Sequence, residues 1–289
     1  MHTPHATQPP SLLVVGAGAM GGAIVDGALR SAVLPPDALA VVEPDAGRRA
    51  RLPRTVETFA DLAGGGAWLR ARGAHAQVLL AVKPQALADV AAGLRPALGD
   101  DPRVVISILA GTPGAKVRAL LACARVVRAM PNLALRVGRG CTAVCLSDGA
   151  AHPDDHFACA LFGTGGQKVF RVDEALMDAF TALAGSGPAY VFYLAEAMQR
   201  AGVLMGFEHA QALEMVRETI AGAAALLAEG AGQTGAGGPD PATLRAGVTS
   251  PGGTTAAAVR VLEDSDAMET WARAILAARD RGRTLADGR

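Results

Sequence analysis

Two stretches of small residues have the types and spacing needed to hold an anion. Val248-Thr-Ser-Pro-Gly-Gly-Thr-Thr255 opens straight into the helical pattern Ala256–Glu263, and Gly16-Ala-Gly-Ala-Met-Gly21 follows the apolar run Leu12–Val15 and leads into Ala23–Arg30. The first turn of a helix leaves backbone N–H groups without intrahelical partners and carries a partial positive charge, so a phosphate or carboxylate is stabilised at either place. Two such cradles on one chain point to a nucleotide at one and a small acid at the other. No Asp, Glu, His or Lys lies within 248–255, so the second cradle offers hydroxyls and amides in place of a conventional general acid.

The first cradle has the pattern of a dinucleotide turn. Gly16 permits the tight turn out of a strand, Gly18 lets the backbone approach a pyrophosphate, and Gly21-Gly22 allows the following helix to pack closely. Glu43 ends the next strand-like run, where an acidic side chain accepts hydrogen bonds from the adenosine ribose and repels a 2′-phosphate. That favours NADH, whereas Arg48 and Arg49 a few residues on can grip a phosphate and favour NADPH. The choice between the two stays open at this point. Lys83 and Pro84 close the run Val78–Val82, and Leu109-Ala-Gly-Thr112 follows Val104–Ile108. Ligands of open sheets bind at such strand tips.

The elements around these motifs fall into two kinds. Leu12–Val15, Ala40–Glu43, Val78–Val82, Val104–Ile108, Arg125–Arg128, Cys141–Leu146 and Gln167–Arg171 are short runs rich in Val, Leu and Ile, the first five separated by stretches with helical spacing. This alternation predicts a doubly wound α/β domain over residues 1–171, with 1–10 as a loose tail. From 172 to 289 the strand-like runs vanish. Asp173–Leu183, Pro188–Val203, Ala210–Ala228, Pro241–Val248, Thr254–Glu263 and Met268–Leu285 have helical spacing, with Ser186 in the N-cap position before Pro188. The glycine-rich Gly230–Pro239 reads as a flexible loop. His209, beside Glu208 near a helix start, reads as a solvated surface residue.

Composition narrows the function classes. The chain has 289 residues, 51% hydrophobic residues and a mean hydropathy of +0.27, which predicts compact folded domains. Lys+Arg 27 balance Asp+Glu 27, so no global field draws the chain to nucleic acid or an anionic membrane. Cys123, Cys141, Cys145 and Cys159 lack paired knuckles or clustered histidines, so neither a metal site nor a disulfide frame is expected. The polar start of the chain lacks the core of a secretory signal, and no run reaches membrane-span length; a cytoplasmic protein is expected.

Five motifs in order, Gly16–Gly21, Ala81-Val-Lys-Pro-Gln85, Arg128-Ala-Met-Pro-Asn132, Gly185-Ser-Gly-Pro-Ala-Tyr190 and Thr249–Thr255, make the chain resemble pyrroline-5-carboxylate reductase. The resemblance spans nearly everything after the tail. It implies NAD(P)H-dependent reduction of 1-pyrroline-5-carboxylate to L-proline on a Rossmann domain followed by a helical domain through which subunits dimerise, often assembling further into decamers. By position it implies that Val15, Gly16, Ala17, Gly18, Ala19 and Met20 line the dinucleotide. Ala81, Val82, Lys83 and Pro84 with Ile108, Leu109 and Ala110 would surround its ribose and nicotinamide side. Ser186 would border the substrate, the amides of Gly252, Gly253 and Thr254 would hold its carboxylate, and the Thr255 hydroxyl would bond the ring nitrogen. A β-hydroxyacid dehydrogenase of similar architecture would need a helical acid/base lysine, and Lys83, Lys116 and Lys168 all precede the helical half.

Overall fold

A computed structural model of the protein describes residues 10–98, 103–122, 125–229 and 240–286. The expected tail over 1–10, all but its last residue, the Gly230–Pro239 loop and Cys123 lie outside them. The described residues form two compact units. One holds the chain up to Ser186 and from Ala277 onward, the other Gly187–Leu276.

The first unit is built on eight strands: β1 (Leu12–Val15), β2 (Leu39–Val42), β3 (Glu57–Phe59), β4 (Gln77–Leu80), β5 (Val104–Ser107), β6 (Arg125–Pro131), β7 (Cys141–Leu146) and β8 (Lys168–Arg171). They lie in the order β3-β2-β1-β4-β5-β6-β7-β8, parallel except for the β6–β7 pair. Strands α/β-linked in this way are covered on both faces and need apolar side chains on both. The sequence supplies them in alternation. Leu12 and Val14 enter one apolar layer with Ile24, Leu79, Ile106 and Phe162, whereas Leu13 and Val15 enter the other with Leu69, Leu80, Leu94 and Val105. The covering helices are α1 (Ala19–Arg30), the short α2 (Ala46–Arg49), α3 (Leu62–Ala71), α4 (Leu87–Leu98), α5 (Gly114–Leu121) and α6 (His156–Phe162).

β3 departs from the expected strand set. It is a three-residue edge strand with no apolar run, one residue exposed and two half-buried, so hydropathy gives it no signal. Beyond β8 the chain returns to the sheet through α7 (Met177–Phe180), whose Met177 is buried against Met130, Ala143 and Cys145. That packing carries the first unit past 171, the sequence-based boundary, to Ser186. Arg128, only 4% exposed, pairs with Glu174 at 2.6 Å, and Asn132 joins the Cys141 amide to the Ala184 carbonyl. The helix expected over Asp173–Leu183 is broken into pieces and ends in a π turn, Thr181–Gly185.

The second unit contains α8 (Gly187–Leu204), α9 (His209–Ala228), α10 (Pro241–Gly247), α11 (Thr254–Asp264) and the first half of α12 (Ala267–Ala286). α8 and α9 pack closely at Gly202, where a Cβ would stand 2.9 Å from that of Ala212. No helix among the described residues is long and apolar enough to cross a membrane.

Asp155 ties α6 to the sheet edge. Its carboxylate, 1% exposed, accepts from Arg171 Nε at 2.6 Å and meets His152 Nδ1 at 2.9 Å. Burial pushes its pKa up, but the bonds to Arg171 and His152 outweigh burial and hold it below the ordinary carboxylate value. A lowered folded pKa gives stability that is present above the unfolded value of about 3.9 and is lost as pH falls through the folded one. Asp155→Asn therefore lowers the thermal midpoint at pH 7, and its deficit against the wild type shrinks as the buffer is taken below about pH 4. A deficit independent of pH would contradict this role for the charge.

Candidate nucleotide and carboxylate sites

The carboxyl ends of β1, β2 and β4 enclose a cleft of about 750 Å³ lined by Val15, Gly16, Gly18, Ala19, Glu43, Ala81, Val82 and Lys83, among others. At its floor the glycine turn is held by close backbone contact. Gly16 has φ +98°, and a Cβ there would lie 2.7 Å from the Ala81 carbonyl oxygen; a Cβ on Gly21 would lie 2.1 Å from the Gly16 oxygen. Only glycine fits these two positions. Gly18 differs, because nothing lies within 4 Å of where its Cβ would project. It is the N-cap of α1, and no side chain caps that helix. The open space and the first-turn amides fit the diphosphate of a dinucleotide.

The remaining expected cofactor residues divide. Ala17 lines an adjoining cleft of about 410 Å³ together with Gly18, Ala19, Arg48, Arg51 and Arg136. Met20 packs on the core layer under α1. Lys83 is exposed and precedes the 3-10 turn that starts at Pro84; Pro84 is not in the cleft lining. Ile108, Leu109 and Ala110 follow β5 and also lie outside that lining, with Leu109 buried to 1% exposure in the core. Unanticipated were Ala60, Asp61 and Leu62, which line the cleft from the end of β3. Their signal was hidden with that strand; the N-cap pattern of Asp61, which accepts from the Gly64 amide at 2.8 Å, was the available clue.

Glu43 is where the sequence put it but faces inward. It is 3% exposed, its Oε2 accepts from the Ala17 amide at 2.8 Å, and its Oε1 accepts from the Asp45 amide at 3.1 Å. Arg49 donates to the carbonyls of Glu43 and Pro44 at 2.7 and 2.8 Å. Arg48 lies at the cleft rim, 3.7 Å from Glu43 Oε1.

The second cradle is described within its own unit. Gly252 has φ +71°, the Gly253 amide donates to the Ser250 carbonyl at 3.0 Å, and α11 begins from Gly253 with no side-chain cap. Two expectations are corrected here. The Gly253 amide is taken by the turn, so of the expected amides those of Gly252 and Thr254 are left for an anion, joined by Thr255 and Ala256 in the first turn. Ser186 is not an N-cap. Its backbone is helical (φ −84°, ψ −15°), continuing from the π turn, and its amide donates to the Thr181 carbonyl at 2.8 Å. A π turn leading into a long helix recurs at functional sites. His209 is exposed at the start of α9, 3.0 Å from Gln199 Nε2.

Among the described residues one group of possible metal ligands, His152, Asp155 and His156, lies outside both cradles. The Asp155 carboxylate already holds the Arg171 guanidinium, whose charge opposes a cation there.

Comparison with known proteins matches both parts of the chain. Residues 11–111 match the family described as NADP oxidoreductase coenzyme F420-dependent, and residues 174–285 match that described as pyrroline-5-carboxylate reductase dimerisation. Pyrroline-5-carboxylate reductase of Pisum sativum is 34% identical over 271 residues, covering 94% of each chain. The chain belongs to the pyrroline-5-carboxylate reductase family. The Thermus thermophilus reductase is 36% identical over 281 residues, 96% of this chain and 98% of its own. The solved Coxiella burnetii reductase superposes with a TM-score of 0.81 at 29% identity, covering 96% of this chain and 99% of its own. The α/β Rossmann-type first domain, the helical second domain and the oxidoreductase class are those of this family.

Gly18→Ala separates fold from binding. With open space around the new methyl, the thermal midpoint stays within a few degrees of wild type. Dinucleotide affinity, measured by calorimetric titration, falls by about tenfold or more, because the methyl takes the place of close backbone approach. Unchanged affinity would remove Gly18 from the site.

Proposed function

We propose that the chain reduces 1-pyrroline-5-carboxylate to L-proline with NADPH or NADH, the last step of proline synthesis. The observation that carries this reading is the start of α11 in a chain of this family. Thr254 and Thr255 occupy the first two helical positions behind Gly253, and no side chain takes the first-turn amides.

A bound reduced nicotinamide supplies the hydride. The protein positions the acceptor. The amides of Gly252, Thr254, Thr255 and Ala256 hold the substrate carboxylate, aided by the positive end of the α11 dipole. The half-buried Thr255 directs its hydroxyl to the ring nitrogen. Val248–Thr255 contains no group that titrates near neutrality, so the imine arrives as the iminium or takes its proton through water. Protonation makes the ring carbon electrophilic, and the threonine orients it. The π turn before α8, with Ser186, borders the substrate. In the first unit the dinucleotide lies against Val15, Gly16, Gly18, Ala19, Glu43 and Ala81–Lys83, with Ala17 at the adjoining cleft.

The helices from α8 onward, within the match over residues 174–285, serve as the dimerisation and substrate domain. Phe192, Tyr193, Leu204 and Met268 are 59, 68, 80 and 72% exposed, more apolar surface than a lone helical unit presents to water. A second copy of this chain covers it, in a homodimer that can assemble further into a decamer. The unpaired Cys141, Cys145 and Cys159 accord with a cytoplasmic setting.

Steady-state assays with the cyclic imine and each nicotinamide in turn test the reaction. One L-proline formed per nucleotide oxidised is expected, and no turnover with either nucleotide overturns the reading. Thr255→Ala lowers kcat by about tenfold, the equivalent of roughly 1.4 kcal/mol of transition-state stabilisation, with dinucleotide affinity little changed; unchanged kinetics would remove Thr255 from the mechanism. Phe192→Asp shifts the light-scattering mass toward the monomer, and an unaltered mass would take that face out of the interface.

A further inference from the structure

The motif Arg128-Ala-Met-Pro-Asn132 is absent from the lining of the nucleotide cleft and from the start of α11. It forms the carboxyl end of β6 and the residue after it. Along its length it holds the segment that runs from β8 to α8. Arg128 pairs with Glu174, whose Oε1 also accepts from the Gly114 amide at 3.2 Å. Met130 lies against the π turn, its Cγ 3.8 Å from where a Cβ on Gly185 would stand.

Asn132 makes the contact that matters most. It is buried, and both ends of its side-chain amide are engaged. Oδ1 accepts from the Cys141 amide at 3.2 Å, and Nδ2 donates to the Ala184 carbonyl at 3.1 Å. Its own backbone amide donates to the Cys141 carbonyl at 3.2 Å, which fixes the residue at the β6–β7 corner. The Ala184 carbonyl is a place where a donor is needed. In an α-helix it would accept from the amide four residues on, and that residue is Pro188, which has no N–H. The Asn132 side chain supplies the missing hydrogen. A single buried amide therefore anchors the π turn to the sheet just before Gly185 and Ser186.

We infer that Asn132 is a positioning residue for the reaction, its side-chain amide holding the π turn so that Ser186 and the start of α8 meet the imine in a fixed geometry. This rests on the reading above that the π turn borders the substrate. Neither Asn132 nor any residue of 181–186 lines the nucleotide cleft, so the imine and not the dinucleotide should sense the loss. Misplacing a positioning group by about 1 Å costs up to about 100-fold in rate.

Asn132→Asp provides the test. The new side chain keeps an oxygen for the Cys141 amide, has no hydrogen for the Ala184 carbonyl while ionised, and regains one when protonated. The full chain and the variant are assayed side by side with 1-pyrroline-5-carboxylate and NADPH from about pH 8 down to about pH 5, and dinucleotide affinity is measured by calorimetric titration. At about pH 8 kcat/KM for the imine is expected to fall about tenfold or more, with dinucleotide affinity within about threefold of wild type. The deficit narrows as pH falls through the carboxyl pKa, which burial beside a carbonyl oxygen raises. Asn132→Ser, whose hydroxyl ends one bond short of the Ala184 carbonyl, shows the same imine-selective loss without that pH dependence, and carries the test if the aspartate does not fold. Wild-type imine kinetics in the variants, an equal loss of dinucleotide affinity, or an Asn132→Asp deficit as flat with pH as that of Asn132→Ser overturns the inference. A wild-type chain without turnover would instead remove the proposed reaction, which distinguishes the two failures.

Discussion

The structure depends on backbone N–H groups left uncovered at two helix starts. Helices α2, α3 and α10 are capped by Asp45, Asp61 and Asp240, each accepting from an amide of the first turn. Helices α1 and α11 start instead from Gly18 and Gly253, with no side chain on their first amides. A capping aspartate contributes about 1 kcal/mol to a helix and places a negative charge where an anionic ligand has to sit. At α1 and α11 that stabilisation is absent and the positive end of the helix faces outward. α6 and α9 also lack a side-chain cap, but they open from Asp155 and Glu208, whereas α1 and α11 open from glycine and carry no acidic residue in the first turn.

An uncovered amide is useful only if its position is fixed, and most of the first unit serves that end. Two apolar layers clamp the parallel sheet, so the tips of β1, β2 and β4 form a rigid rim. Gly16 and Gly21 bring the turn down onto Ala81 and onto itself, distances that no other residue tolerates. Glu43 then ties the Ala17 amide across from β2. Buried carboxylates are stable when their oxygens are hydrogen-bonded, and this one is satisfied by the backbone it restrains. At α11 the positive φ of Gly252 and the bond from the Gly253 amide to Ser250 play the same restraining part.

Much of this was legible in the residues. Short Val, Leu and Ile runs located every strand except β3, because strands buried on both faces must be apolar throughout. Five stretches of helical spacing gave α8 to α12 within a residue or two. What could not be read depends on tertiary partners. Edge strand β3 has no apolar pattern to betray it, and with it went Ala60–Leu62 on the cleft wall. The π turn at Thr181–Gly185 breaks a segment whose spacing reads as ordinary helix, which also removes the cap role expected of Ser186. The orientation of Glu43 follows from the Ala17 amide twenty-six residues away, so its type was visible and its partner was not.

Hydrogen–deuterium exchange on the full chain tests the central claim most directly, since it reads the amides themselves. NADP⁺ should slow exchange in peptides covering Gly16–Gly21. L-proline, added with the nucleotide, should slow it in peptides covering Thr254–Ala256 while those over the Asp-capped start of α10 are unaffected. Proline that protects other segments and leaves Thr254–Ala256 exchanging at its free rate would contradict the account.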